Sequence, residues 1–244
     1  MNKRYYLFFL AILFALITAC SDDKPNEDVF SDVAEHKDKV NNYEIEIDLQ
    51  VVITNDETEE VLQSSQALMD STLFEDTNNS HGTLKSINDD IEEIIEYYHV
   101  DNEAYANIDD QGWEVLPEDN EIITDDDSTY YKAIADLVEE IKDEVDLETD
   151  GDHYVLTFQG KSETIYDAFE DPYSLTLSGV TPADVEHDVE IKINQDTMLV
   201  EHIKNTITGT NDGLKLELAI DHTYDKINEV DDITISQDVL DEAN

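Results

Sequence analysis

The chain has 244 residues with 13 Lys plus Arg against 62 Asp plus Glu, a formal charge of −49. One Cys rules out an internal disulfide framework, a four-thiolate zinc site and a thiolate-held iron–sulfur cluster, and a surface this acidic repels phosphate backbones, so no nucleic acid is expected as a partner. Only 7 Gly and 4 Pro, with 40% hydrophobic residues, set the chain apart from disordered or collagen-like polymers and allow a real core.

At the N-terminus Lys3 and Arg4 precede an apolar run, LFFLAILFALITA, at residues 7–19. A bilayer-spanning helix needs roughly 20 residues, so the run suits the apolar part of a signal peptide. It ends at Ile17-Thr18-Ala19-Cys20, followed by polar Ser21-Asp22-Asp23-Lys24-Pro25-Asn26. This segment resembles the lipobox of bacterial lipoproteins. The resemblance implies cleavage between Ala19 and Cys20 and a diacylglycerol thioether (with palmitate-type chains) on Cys20, placing the protein on the extracytoplasmic face of the cell membrane. An ordinary secretory signal with an incidental Cys, or an uncleaved anchor, is the alternative reading. Two acyl chains hold stably where one does not. Cleavage removes Lys3, Arg4 and no acid from a chain of −49, leaving −51. Charge on this scale speaks to solubility in salty or alkaline surroundings, or to weak cation binding, rather than to fold.

The domain reading is a signal peptide at 1–19, a lipidated tether at 20–28 and one α+β domain at 29–244. Phe30, Val33, Ala34, Lys37 and Val40 suggest a short helix starting at Ser31. Tyr43, Ile45, Ile47, Leu49, Val51 and Ile53 alternate with Glu44, Glu46, Asp48 and Gln50, a strand with one dry and one wet face. Residues 61–73 return as a second strand. Residues 91–98 are ambiguous, since Ile91, Ile94, Ile95 and Tyr98 fit a helix, but the turns at Asp101-Asn102 and at Asp109-Asp110-Gln111-Gly112 before Trp113 favour a hairpin with 104–108.

A helix is predicted over 128–147 from Tyr130, Ile134, Leu137, Val138, Ile141 and Val145, with Ser128 as its cap and Asp125, Asp126 and Asp127 at its positive end. Asp150-Gly151 ends it and leads to a strand at Tyr154, Leu156 and Phe158. An antiparallel meander follows: a strand over 185–193, a return over 198–208, and the turn Asp212-Gly213. A long strand then carries Leu214, Leu216, Leu218, Ile220, His222 and Tyr224, and Ile233-Thr234-Ile235 reads as a last short strand.

The order of elements resembles the LolA/LppX/LprG-like lipoproteins, above all their uncharacterised Gram-positive branch. The resemblance is carried by the lipobox, the stretch Tyr97-Tyr98-His99-Val100-Asp101-Asn102-Glu103-Ala104-Tyr105 running on to Gly112-Trp113, the following helix and meander, and Tyr224-Asp225-Lys226-Ile227-Asn228. It implies a curved antiparallel sheet, a half-barrel, with helices packed on the concave face around a space for acyl chains or lipidated cargo. Gln237 stands where many relatives carry a proline. On this reading Tyr43, Ile45, Ile47, Leu49, Trp113, Ile134, Leu137, Ile141, Leu216, Leu218 and Ile220 line a cavity or fill the core.

Other chemistry is sparse. The sequence contains no H-E-x-x-H, nucleophile elbow, dinucleotide fingerprint or P-loop. His187, His202 and His222 lie on successive strands and could converge on a metal, although a histidine on an apolar strand face is more often core. Asp146-Leu147-Glu148-Thr149-Asp150-Gly151-Asp152 opens like a calcium loop, but Thr157 stands where a bidentate Glu is required. The expectation is a non-enzymatic lipoprotein without cofactor or metal. It binds a lipid-like ligand, or else serves as a structural or interaction lipoprotein with a filled core and an acidic partner-binding surface.

Overall fold

The computed structural model describes residues 26–89, 91–117, 130–173, 175, 177 and 180–243. The expected signal segment, Cys20, and the cap expected at Ser128 with Asp125, Asp126 and Asp127 lie outside the described residues. Among the described residues eleven strands form one open, curved antiparallel sheet. They are β1 (Asn42–Asn55), β2 (Val61–Phe74), β3 (Asn79–Asn88), β4 (Ile91–Val100), β5 (Glu103–Ile108), β6 (Trp113–Leu116), β7 (Asp146–Asp150), β8 (His153–Lys161), β9 (Glu186–Asn194), β10 (Val200–Asn211) and β11 (Leu214–Asp225). The spatial order is β6-β5-β4-β3-β2-β1-β11-β10-β9-β8-β7. All neighbours except β1 and β11 are consecutive in the chain, so short turns make nearly every pairing. Asp212 and Gly213 both have positive φ, at +49° and +78°, the backbone a two-residue hairpin between β10 and β11 requires.

Among the described residues four α-helices accompany the sheet: α1 (Asn26–His36), α2 (Tyr131–Glu140), α3 (Glu163–Tyr173) and α4 (Gln237–Glu242). The sheet face carrying Tyr43, Ile45 and Ile47 is the inner face, and the one carrying Glu44, Glu46 and Asp48 the outer. Helices α1, α2 and α3 bury Val29, Phe30 and Val33, then Ile134, Leu137 and Val138, then Ile165 and Phe169, in one core with inner-face side chains of β1 and β8–β11. These helix residues recur at three- and four-residue steps, which makes a dry stripe on each helix. A second, smaller cluster joins Ile95, Ala106 and Leu116.

Several sequence expectations are corrected. Helix α1 begins at Asn26 rather than Ser31, so residues 26–28 of the expected tether are helical. Helix α2 ends at Glu140, and Leu147 belongs to β7, so Asp150-Gly151 turns a β7–β8 hairpin. Strand β3 and helix α3 were not expected at all. Residues 233–235 form no strand; α4 follows them, capped by Ser236 Oγ accepting from Val239 N–H at 3.4 Å.

The start of α2 lacks a side-chain cap of its own. Glu75, from the end of β2, fills that role: its Oε1 accepts from Tyr131 N–H at 2.8 Å and from Tyr43 O–H at 2.9 Å. A carboxylate at this helix end also meets the positive end of the dipole. Replacing Glu75 with alanine is expected to cost about 1–2 kcal/mol of stability, read as a lower denaturant midpoint at unchanged slope, whereas glutamine keeps an acceptor and costs less.

Candidate functional site

The strand register lines up apolar inner-face residues across strands. Ile47 pairs with Met69, Met69 with Leu84, Leu84 with Ile95, and Ile95 with Ile108. One row thus runs unbroken from β1 to β5. Met69, Leu84 and Ile108 are only half-buried. Beside this row Leu49, Val51, Ile53 and Leu216 are also half-buried, and Ala67, which pairs with Leu49, is exposed. Toward the other end of β1 the same face is dry: Tyr43, Ile45, Leu73 and Tyr97 are all less than a tenth exposed. The inner face therefore has a sealed end under the helices and a partly open apolar end beyond them.

Most residues expected to line a cavity or core meet in one place. Tyr43, Ile45, Ile47, Ile134, Leu137, Ile141, Leu218 and Ile220 are buried in the main core, with Leu49 and Leu216 packed at its margin. Trp113 stands apart, near the far edge of the sheet, with its ring centroid 5.4 Å from that of Tyr98. Cys20 and Ala19 lie outside the described residues.

The dry end contains polar groups that sequence reading missed. Tyr43, Tyr131 and Tyr224 pack edge to face, with centroids 5.1 Å apart for Tyr43–Tyr224 and for Tyr131–Tyr224. Tyr131 Oη accepts from Val200 N–H at 2.6 Å. Burial pushes the phenols of Tyr43, Tyr131 and Tyr224 upward, and the Glu75 carboxylate adds to this for Tyr43 and Tyr224, so all three stay protonated. Among the described residues Tyr224 Oη has no hydrogen-bond partner.

The three strand histidines do not converge. His187 and His222 are buried on the inner face, whereas His202 lies on the outer face, 2.7 Å from Asp221. His222 Nδ1 shares a 2.8 Å hydrogen bond with Tyr173 Oη, and His187 Nδ1 sits 3.3 Å from Asn205 Nδ2. Burial lowers the imidazole of His187 to about 4 and of His222 to about 3, so both are neutral rings near pH 7. No group of three metal-ligating side chains occurs among the described residues. The outer face carries a groove of about 700 Å³ bordered by Glu46, Asp48, Asp70, Asp221 and Lys85. No helix among the described residues is long and apolar enough to cross a membrane.

No curated protein matches the chain. Among solved structures it is similar to a DUF1329 family protein from Desulfovibrio piger ATCC 29098, at 12% identity and a TM-score of 0.25, over 87% of this chain and 95% of that one. The model of a family of unknown function, DUF6612, matches residues 25–244, and the chain belongs to that family.

Proposed function

We propose that the mature chain is an extracytoplasmic lipoprotein, moored by lipid on Cys20, whose half-barrel binds a lipid-like or hydrophobic ligand on its concave inner face. The observation that carries the reading is the in-register apolar row Ile47–Met69–Leu84–Ile95–Ile108, half-open where the helices no longer cover the sheet. Soluble domains seldom leave a contiguous apolar surface without use. The sequence resemblance to LolA/LppX/LprG-like lipoproteins supports the same reading. On it, α1, α2 and α3 plug one end of the half-barrel and the trough beyond holds the ligand. The reading assigns no catalytic step and no cofactor.

A second reading rests on a different observation. The core under the helices is filled by its own side chains, with Tyr43, Tyr131, Ile134 and Phe169 fully buried. A filled core with an acidic outer groove fits an envelope protein that meets a partner or cations through that groove.

Displacement of a fluorescent fatty acid separates the two. Leu84→Asp puts a charge into the half-open row at a site already touched by water. The first reading expects the full chain to bind the probe and the variant to bind about tenfold more weakly, a loss of about 1.4 kcal/mol. Equal binding by both chains would leave the second reading. The anchor has its own test: Cys20→Ser should abolish labelling by palmitate and shift the protein from the membrane to the soluble fraction.

A further inference from the structure

The apolar row of the inner face does not stop at β1. Ile47 pairs with His222 of β11, and the row runs on through Ile203 of β10 and Ile191 of β9 to Leu156 of β8. His222 is the one polar member of that row, and it is fully buried. From it a polar stripe crosses the sealed end of the face on the diagonal. Tyr224 lies two residues further along β11. Asn205 lies two residues beyond Ile203 on β10, and His187 lies two residues before Val189, the β9 partner of Asn205. Each of these four side chains is at most 3% exposed.

Buried polar groups are nearly always paired, and a dry, unpaired one costs folding free energy that a partner returns. Here four atoms of one stripe lack a hydrogen-bond partner among the described residues: Tyr224 Oη, His222 Nε2, Asn205 Oδ1 and His187 Nε2. The bonds these residues do make fix what is left open. Asn205 Nδ2 donates to His187 Nδ1 at 3.3 Å, so the neutral ring carries its proton on Nε2. An N–H donor on His187 and a carbonyl acceptor on Asn205 are therefore both open. His222 Nδ1 is taken by Tyr173 Oη at 2.8 Å, which leaves its second nitrogen open, and the Tyr224 hydroxyl can give or accept a bond. None of the open positions is charged, because burial keeps both imidazoles neutral and the phenol protonated. Helix α3 covers the stripe: Tyr173 bonds to His222, and Tyr166 meets His187 edge to face with centroids 6.3 Å apart.

Uncharged donors and acceptors at the sealed end of an apolar row suit one kind of molecule. Its acyl chain lies along the row, and its head is uncharged and carries hydroxyls, each of which both donates and accepts. A carboxylate or phosphate head would find no cation in the stripe, and a plain hydrocarbon would leave all four atoms dry. We propose, resting on the trough reading above, that Tyr224, His222, Asn205 and His187 are the head-group subsite of the trough and select a lipid with an uncharged, hydroxyl-bearing head. The stripe crosses two strand spacings, about 10 Å, which is room for a head with more than one hydroxyl. Helix α3 yields to admit the head, and the bonds that the head makes to the four open atoms offset the loss of the Tyr173–His222 bond.

Two esters of one acyl chain test the subsite: monopalmitoylglycerol, with free hydroxyls, and methyl palmitate, with none. Each is titrated against the fluorescent fatty acid bound to the full chain. The expected result is that the glycerol ester binds about tenfold more tightly than the methyl ester, and that Tyr224→Phe cuts this preference to about threefold. Tyr224→Phe removes a hydroxyl that has no partner in the fold, so its melting temperature should equal or exceed that of the parent. A purely structural hydroxyl gives the opposite pair of results, a lower melting temperature and an unchanged preference, and that outcome overturns the proposal. Leu84→Asp weakens both esters alike, which separates the trough from its head-group end. Equal binding of the two esters by the parent chain overturns the subsite and leaves the trough standing. Binding of neither overturns both.

Discussion

Replacing Gly82 with alanine is expected to destabilise the protein by about 3 kcal/mol or more, lowering its melting temperature by roughly 10 °C. The glycine lies on the inner face of β3, between Ser71 of β2 and Tyr97 of β4. A Cβ there would stand 2.0 Å from Ser71 Oγ, 2.3 Å from Asp70 carbonyl oxygen and 2.7 Å from Ser71 Cα. The serine hydroxyl can rotate away, but the other two atoms are backbone, so the β2–β3 pairing itself must yield. Such a shift also disturbs Tyr97, whose hydroxyl lies 2.7 Å from Ser71 Oγ and is buried. Tyr97 pairs with Gly82 and reaches past it to β2, so that one aromatic side chain ties three strands together. Tyr97→Phe removes only the hydroxyl and should cost about 1 kcal/mol, which sets the scale for the glycine effect. Chemical denaturation of the three chains checks the order. A Gly82→Ala chain as stable as the parent would show that β2 and β3 are spaced more loosely than described.

The second large effect is acid sensitivity. His187 and His222 are buried with lowered imidazole pKa values, about 4 and about 3, because burial penalises the charged ring. The unfolded chain takes up a proton near pH 6.5 at each, while the folded chain does not. Between pH 6.5 and the folded values the unfolded state therefore holds more protons, and stability falls as pH falls. At pH 5 each histidine contributes a loss of about 2 kcal/mol relative to neutral pH. Protonation of carboxylates relieves the repulsion of a −49 chain and acts in the opposite sense, but chiefly below pH 5. The range from pH 7 to pH 5 isolates the histidines. A His187→Gln, His222→Gln chain should show a much flatter stability profile over that range, even if it is less stable throughout. An unchanged slope would place the titrating groups elsewhere.

The sequence was most legible where one face is dry and the other wet along a whole strand. Strands β1, β9 and β11 alternate in this way, and burial follows the pattern throughout β9, from Asn42 to Ile47 in β1 and from Leu218 to Asp225 in β11. Strand β3 gave no such signal because its buried inner positions are Ser80 and Gly82, small residues demanded by the close approach of β2 and the ring of Tyr97. Helix α3 was overlooked although Ile165, Ala168 and Phe169 keep helical spacing; its start depends on Ser162 Oγ accepting from Ile165 N–H at 3.2 Å. Val145 continued the helical spacing of Ile141 and so concealed β7, whose pairing with β8 is a tertiary choice. The cap of α2 comes from Glu75, 56 residues away in sequence, and no local motif could announce it.

The candidate site was legible in part for the same reason. Alternation marks Leu49 and Leu216 as inner-face residues, but whether a helix covers them depends on where α1–α3 end in space. Met69 and Leu84 join the row only through registers that a linear reading does not supply. The groove between strands β1–β4 and segment 226–234 was invisible because that segment was read as leading into a strand, whereas it lies across the sheet and brings Asp231 and Asp232 near His81 and Tyr98.

Native mass spectrometry of the full chain, taken from its own membranes in mild detergent, tests the central claim most directly. Beyond the mass of the lipid on Cys20, the account predicts a second, non-covalent adduct of acyl-chain size that organic solvent extracts and that Leu84→Asp strongly depletes. A chain carrying only its covalent lipid, identical in parent and Leu84→Asp variant, would contradict it.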